Sequence, residues 1–346
     1  MYVNNHIHTT YSFSPYTPAQ AVEAAKAAGL ETAGIMDHDS ISGAREFIIA
    51  GEKLGIATTI GIECRVKVSG TNLEGRRINN PDQNSIMYMA LHAVPHKHID
   101  TVTEFFKPLL IARNIRNRAM CDNVNRLLPD LVLDFERDVY SLSMANDGGS
   151  ITERHIMYAL AKKIAAKFDN IPEFLQNIGI ETSDKIKGYL SDKENPFLEY
   201  DLLGVLKSGL IPKVYVDATD ECPHISEVIE LGRKVNAISA YAYLGDVGDS
   251  VTGDKKKQTF EDGYLDILFE EIHALGFDAV TYMPSRNSME QLMRVRELCE
   301  RYGLMQISGE DINSPRQSFI CEALSNPIFQ NLIDNTWKLI KHEREG

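Results

Sequence analysis

Two histidines one residue apart, His6 and His8, end the first apolar stretch of the chain, YVNNHIHTT. Alternate side chains of a strand share a face, so these two imidazoles can converge on one point. Convergent imidazoles are typical of metal sites. A single His-x-His pair is equally compatible with two separately hydrogen-bonded rings or with chance placement on the surface. Other residues are therefore needed to support a metal site.

Further imidazoles and carboxylates stand at or near the ends of later predicted strands. Taken singly, each has an ordinary structural explanation: a helix cap, an ion pair, or a histidine hydrogen-bonded in the core. Taken together, at corresponding ends of successive strands, they predict a metal site assembled from distant parts of the chain. These residues are Asp37, His38, Asp39, Glu63, His92 and, near the other end of the chain, Asp311.

Alternating strand and helix patterns would position these side chains. Thr17 and Gln20 form a capping box around Pro18, which predicts the start of a first helix, and Ser42 is expected to cap a second. The same alternation returns after residue 226. Strands that alternate with helices predict a parallel sheet or a barrel, whose functional residues gather at the carboxyl ends of the strands. A closed barrel would bring Asp311 beside His6 and His8.

Residues 101–225 have a different pattern: two helical stretches, the first with a break expected at Pro108, are joined by a flexible connector and followed by an acidic, solvated segment. We therefore expect residues 1–100 and 226–346 to form the barrel and residues 101–225 to form a mainly α-helical insertion. The stretch 250–263, with Lys255, Lys256 and Lys257, is expected to be a solvated loop.

Composition excludes several classes of protein. A net charge of −13 argues against a general nucleic-acid or anionic-membrane binder. The five cysteines show no C-x-x-C spacing, which favours reduced thiols and a cytoplasmic location over a disulfide framework. Neither a membrane-spanning apolar run nor a signal sequence is evident. The oligomeric state is left open.

Five short segments of the chain resemble the polymerase and histidinol phosphatase (PHP) family of metal-dependent phosphoesterases. The segments are HIH (6–8), MDHDSISG (36–43), GIE (61–63), ALHAV (90–94) and SGEDIN (308–313). The chain is most similar to the subgroup of nucleoside 3′,5′-bisphosphate phosphatases, whose barrel carries a helical insertion. In that insertion, ARNIRNRAMCDNVNRL resembles the family's arginine-rich helix and TERHIMYAL its Arg-Pro-His segment.

The resemblance implies a distorted (βα)7 PHP barrel with two or three divalent metals, zinc, manganese or iron. It implies that His6, His8, Glu63 and Asp311 hold a first metal, that Glu63 bridges to a second metal also held by His92, and that His38 belongs to a third. Glu63, Asp37 and His38 are the expected catalytic residues, with Asp37 and Asp39 orienting His38 or bound water.

The chain departs from the family pattern at three positions. Phe13 lies where the family usually has a ligand-bearing segment, Tyr243 replaces a histidine, and Asn313 replaces the histidine of Asp-x-His. Phenol and carboxamide are poor substitutes for imidazole toward a transition metal, although Asp246 or Asp249 could supply a carboxylate. We therefore expect one firmly held metal, a weaker second and no ordinary third site.

The resemblance implies hydrolysis of a phosphomonoester of a small metabolite or nucleotide by metal-activated water, so the expected partner is a small phosphorylated substrate. Arg154 and His155 are the first candidates to hold the substrate phosphate, because arginine grips phosphate with two parallel hydrogen bonds. Arg118, with Arg113 and Arg116, is either a further phosphate ligand or part of a solvated helix face. Two alternatives stay open: a degenerate barrel that binds metal or a phosphorylated ligand without turnover, and a hydrolase of a different bond.

Overall fold

Seven strands follow one another in a single sheet in chain order in the computed structural model, which describes residues 2–247 and 258–346. Ile7 at the end of the first strand bridges to Ile312 just beyond the last, and the His8 amide donates to the Ile312 carbonyl over 2.9 Å. The sheet is therefore a nearly closed barrel, which confirms the predicted α/β class and barrel architecture. The strands are β1 (Val3–Ile7), β2 (Thr32–His38), β3 (Ala57–Lys67), β4 (Ile86–His92), β5 (Ile238–Ala242), β6 (Ala279–Tyr282) and β7 (Met305–Ser308).

Closure between β1 and β7 requires a residue without a side chain at Gly309. A Cβ atom built there would lie 2.5 Å from the His6 Cβ and 2.9 Å from the His6 nitrogen. The bare glycine lets the end of β7 pass directly beside His6. The glycine of SGEDIN thus brings the two ends of the chain together where the predicted ligands lie.

The direction of β4 differs from the sequence-based prediction of a parallel barrel. β4 runs antiparallel to both β3 and β5, whereas the other paired strands are parallel. His92 at its end pairs with Gly61, two residues before Glu63 on β3. His92 therefore lies deeper in the barrel than the other strand-end residues, but on the same face as Glu63.

Helices surround the barrel, and two of the predicted helix starts can be checked directly. The Thr17–Gln20 capping box around Pro18 is confirmed. Ser42 does not cap the second helix, which begins at Ala44 with Gly43 in the cap position and no side-chain cap. The α-helices are α1 (Pro18–Ala27), α2 (Ala44–Leu54), α3 (Ile99–Leu127), α4 (Glu153–Lys167), α5 (Ile171–Asn177), α6 (Asp184–Ser191), α7 (Leu198–Val214), α8 (Ile225–Val235), α9 (Leu265–Leu275), α10 (Met289–Tyr302) and α11 (Gln330–Glu345).

The long connection between β4 and β5 contains α3 to α7 and has a hydrophobic core of its own. That core is built from residues between Met120 and Val214, together with one residue from the barrel side, Phe13. The barrel and its helices, including the first two turns of α3, share a separate and larger core. Pro108 lies inside α3 without ending it, so the predicted break there was wrong.

Within residues 2–247 and 258–346, no helix combines the length and apolar character needed to cross a lipid bilayer. All five cysteines are free and buried. Asp249 and the three lysines at 255–257 lie outside the described residues.

Candidate metal centre

Four of the predicted ligands converge: His6 and His8 come from the end of β1, Glu63 from the middle of β3, and Asp311 from the loop after β7. The Nε2 atom of His8 lies 3.2 Å from Glu63 Oε1 and 3.1 Å from Asp311 Oδ1. The same Glu63 oxygen lies 3.3 Å from His6 Nε2. His6, His8 and Glu63 each present one ligand atom, and these three atoms lie within 4.8 Å of one another. The arrangement therefore fits a divalent metal, with Asp311 at the more exposed side.

Ser12 fixes which nitrogen of His8 faces the carboxylates. The Ser12 hydroxyl donates to Asp37 Oδ1 over 2.6 Å and lies 3.1 Å from His8 Nδ1. Because the hydroxyl hydrogen goes to Asp37, Nδ1 of His8 has to donate to Ser12, and Nε2 of the neutral ring is left with a lone pair. That atom is buried and makes no hydrogen bond within the described structure, although two carboxylate oxygens lie beside it. A cation shared by these three atoms would satisfy all of them.

Electrostatics at His8 also favour positive charge at this point. Burial disfavours the charged ring, but the Asp311 and Glu63 carboxylates outweigh burial and raise the pKa of His8 to about 10, so without a metal the ring holds a proton, which a metal bound at Nε2 would displace. Burial alone would raise the pKa of Glu63, yet His38 and His6 hold it well below its usual value. Two ionised carboxylates around buried imidazole nitrogens are the donor set that zinc, manganese and iron accept.

His38 and His92 are the two remaining predicted ligands. His38 Nδ1 lies 3.1 Å from Glu63 Oε1, and its ring stacks on His8 with centroids 4.7 Å apart. His92 is buried, and its Nε2 has no hydrogen-bond partner in the described part of the chain. Burial is the main cause that lowers the pKa of each ring to about 3, so both are neutral at pH 7 and can donate a lone pair.

Asp37 is held by hydrogen bonds in a way that suits orientation rather than proton transfer. Its two oxygens accept from the Thr9 amide over 2.7 Å, the Thr9 hydroxyl over 2.6 Å and the Ser12 hydroxyl. Burial raises the pKa of Asp37, although His8 and these donors act against the increase. Thr9 and Ser12 were absent from the sequence-based candidates; the His8-to-Ser12 spacing of four residues is the only signal that could have suggested the second.

The three positions that depart from the family pattern all have other contacts. The Tyr243 phenol donates to Asp262 Oδ1 over 2.6 Å, and burial together with Asp262 raises its pKa, so it stays neutral. Asn313 Nδ2 donates to Asp311 Oδ1 over 2.6 Å and so steadies a predicted ligand. Phe13 packs edge-to-face against His155 with ring centroids 5.0 Å apart, inside the core of the long connection.

The predicted phosphate-binding residues are placed very differently from one another. Arg154, in the first turn of α4, is half-buried and pairs with no carboxylate of the described structure; burial lowers its pKa, opposed first by the charge of Asp311. His155 caps its own helix, accepting from the Thr152 amide at Nδ1 over 3.0 Å. Arg118 pairs with Glu136 on the surface and stacks on Phe135. Arg154 is thus the one of the three that pairs with no carboxylate in the described structure and whose pKa responds to the charge of a candidate ligand, Asp311.

Arg113 and Arg116 of α3 do not form a solvated face. Their exposed fractions are 2% and 5%, and both pair with Glu153 at the start of α4. Their position could not be read from the sequence, because helical spacing gives the face of α3 but not the element that covers it.

Comparison with known proteins adds the following findings. A model of the PHP domain matches residues 4–188. A 5′-3′ exoribonuclease of Haemophilus influenzae is 36% identical over 74 residues, 21% of this chain and 25% of that protein, so the chain aligns with only about a quarter of its length.

Two solved structures share the fold over almost the whole chain. A Bifidobacterium adolescentis protein, provisionally assigned as a metal-dependent phosphoesterase, matches 95% of this chain and 96% of its own at 18% identity and a TM-score of 0.60. A Chromobacterium violaceum amidohydrolase with bound sulfate and no metal matches 96% of each chain at 14% identity and a TM-score of 0.61. At such identities the likeness establishes a common fold.

Proposed function

The chain belongs to the PHP-domain family, and from that premise we propose that it is a metal-dependent phosphoesterase acting on a phosphomonoester of a small metabolite or nucleotide. The observation that carries the proposal is the buried Nε2 of His8, which lies between two carboxylate oxygens without a hydrogen bond in the described structure. A divalent cation would complete that geometry. The guanidinium of Arg154, which pairs with no carboxylate among the described residues and whose pKa responds to the charge of Asp311, would receive a phosphate.

The residues present support one strong metal site. His6, His8, Glu63 and Asp311 would hold the metal, and Glu63 together with His92 or His38 would hold a weaker second ion. A bound divalent metal lowers the pKa of a coordinated water toward neutrality and polarises a phosphoryl oxygen. The fully occupied hydrogen bonds of Asp37 keep Ser12, and through it the ring of His8, in one orientation.

Substrate recognition is assigned to Arg154. Its guanidinium can form two parallel, charge-assisted hydrogen bonds with phosphate oxygens. By contrast, the buried arginines Arg65, Arg113 and Arg116 pair with Glu153, Glu221 and Asp39. His155, which caps α4, supports the helix turn that carries Arg154.

We propose that residues 101–225 form a subdomain inserted into a barrel of residues 1–100 and 226–346, and that it selects the substrate. The separate core between Met120 and Val214 supports this division, although the first two turns of α3 pack with the barrel core. Membership of the nucleoside 3′,5′-bisphosphate phosphatase subgroup is the corresponding proposal for the substrate.

A screen of phosphomonoesters, including nucleoside monophosphates and 3′,5′-bisphosphates, with added Mn²⁺ tests the function. Turnover should disappear in His8→Ala, because the metal loses a buried ligand, and persist in His98→Ala. Arg154→Ala should raise KM roughly tenfold to a hundredfold, the value of a lost charged hydrogen bond, with Arg45→Ala as the matched surface control.

The outcomes separate the alternatives. Phosphate binding without turnover under every metal tried would leave a barrel that binds a phosphorylated ligand. Turnover confined to amides or carboxylic esters would make the chain a hydrolase of another bond. Cleavage of a short 5′-phosphorylated RNA, in preference to mononucleotides, would point to a nuclease.

A further inference from the structure

Six charged side chains form a buried cluster next to the metal centre, here called the charge cluster. Three are arginines and three are carboxylates, so the cluster is neutral overall. Five of them are at most 5% exposed, and the side chain of the sixth, Glu153, is 13% exposed. The members are Arg65 on β3, Arg113 and Arg116 on α3, Asp39 after β2, Glu153 at the start of α4, and Glu221 before α8.

Arg113 is the member that joins the two sides of the proposed active site. One of its terminal nitrogens pairs with Asp39, and the other donates to Glu153 Oε2 over 3.1 Å. Asp39 directly follows His38, and Glu153 directly precedes Arg154. The guanidinium fork thus connects the residue beside a candidate metal ligand with the residue beside the candidate phosphate ligand.

The backbone around Asp39 makes this connection stiff. Asp39 adopts a left-handed conformation with φ of 52°, which is uncommon for a residue with a side chain. Its amide donates to the carbonyl of Glu63 over 2.8 Å, so its position is tied to a second candidate ligand. On the other side, Glu153 is also held by Arg65 and Arg116. A shift of α4 relative to β2 and β3 would have to break several buried ion pairs.

Stability alone is a weak explanation for such a cluster. Buried ion pairs are costly to desolvate, and apolar side chains of similar size are often at least as stabilising. What paired charges provide is a fixed geometry. A planar fork can hold two carboxylates at a set separation, which the single ammonium of lysine cannot do.

We propose that Arg113 is a positioning residue that sets the distance between the metal centre and the guanidinium of Arg154. The inference rests on the proposed function, in which Arg154 binds the substrate phosphate. Arg113 makes no contact with substrate; it acts through Asp39 on one side and Glu153 on the other. Arg116 is the matched comparison, because it is equally buried and pairs with Glu153, but makes no contact with Asp39.

The test is titration of the Mn²⁺-loaded protein with inorganic phosphate, followed by calorimetry, which needs no turnover. Arg113→Lys should raise the phosphate Kd about tenfold, because displacing a binding group by a fraction of an ångström is costly. Arg116→Lys should change it less than about threefold at a similar loss of Tm. In the Arg154→Ala background, Arg113→Lys should have no further effect, since the group it positions is gone.

Equal weakening by Arg113→Lys and Arg116→Lys, or effects of Arg113→Lys and Arg154→Ala that simply add, would overturn the proposal and leave the phosphoesterase assignment standing. If Arg113→Lys has no further effect in Arg154→Ala while the protein turns over no phosphomonoester, the result supports the positioning role of Arg113 and refutes the phosphoesterase activity. A parent protein that binds no phosphate would refute both.

Discussion

Asn313 and Ser12 show that the candidate ligands are fixed by neighbours that do not touch a metal themselves. Ser12 selects the tautomer of His8, and Asn313 donates to the Asp311 oxygen that faces His8. Such partners orient the ligand and restrict its rotation. In this chain the orienting partners are a serine and an asparagine, residue types that were not expected to bind the metal.

Asn313→Ala should therefore weaken metal binding without removing a ligand. Loss of an orienting partner lowers metal affinity by roughly tenfold to a hundredfold. Competition with a chelating dye measures the Mn²⁺ or Zn²⁺ affinity directly. Asn335→Ala, which removes an asparagine that donates to the Gln306 carbonyl, is the control. Unchanged affinity in Asn313→Ala would mean that Asp311 is held in place by its backbone alone.

At the scale of elements, Phe13 connects the barrel to the long connection between β4 and β5. Among the described residues that are buried in that second core, Phe13 alone comes from outside residues 120–214, and it packs on His155, Tyr158 and Tyr200. The position that carries a ligand-bearing segment elsewhere in the family has become a packing contact here. The loss of one candidate metal ligand thus strengthens the attachment of the proposed subdomain.

Phe13→Ala should loosen α4 and α7 more than the barrel. Removing a buried phenylalanine side chain costs about 3 kcal/mol, and the cost should fall on the core that loses the contact. Hydrogen exchange of the backbone amides, followed by mass spectrometry, resolves the two regions. Phe329→Ala, in the barrel core, should give the reverse pattern. A uniform increase in both variants would contradict a division into two cores.

The sequence patterns predicted which elements form better than they predicted the direction in which those elements run. The Thr17 cap and the barrel class followed from local signals in the sequence. The antiparallel direction of β4 did not, because a short apolar strand has the same composition in either direction. Pro108 was expected to end a helix, but it lies in a solvent-exposed turn of α3 that continues through it.

On the scale of the whole molecule, residues more than 200 positions apart have to meet before the site exists. His6 and His8 were singled out by their spacing, and Asp311 by its place after a strand; Gly309 and the Ile7–Ile312 bridge bring them together. The burial of Arg113 was not predictable, because it depends on how α3 and α4 pack. Patterns of residue type thus identified candidate groups, whereas the contacts that orient them required the three-dimensional structure.

The pH dependence of stability is a second property of the whole molecule, because it depends in part on the net charge. The net charge is −13, so the other charges of the molecule repel each carboxylate that ionises. A buried carboxylate is disfavoured further, because it also loses its hydration. Glu261 is fully buried, and burial raises its pKa to about 7. The folded protein therefore binds one more proton than the unfolded chain between about pH 4.5 and pH 7. Stability should fall as pH rises through that interval.

Glu261→Gln should remove this dependence. Its carboxyl accepts from the Tyr241 hydroxyl over 3.0 Å and the Leu244 amide over 2.8 Å, and a glutamine oxygen can accept both. Relative to the parent, the variant should gain about 2 kcal/mol in free energy of unfolding between pH 5 and pH 8. Urea unfolding at the two pH values measures the difference. Glu230→Gln, at an exposed position, shows how much comes from lowering the net charge alone. If the two variants gain equally, repulsion across the molecule, and not the burial of Glu261, causes the loss of stability as pH rises.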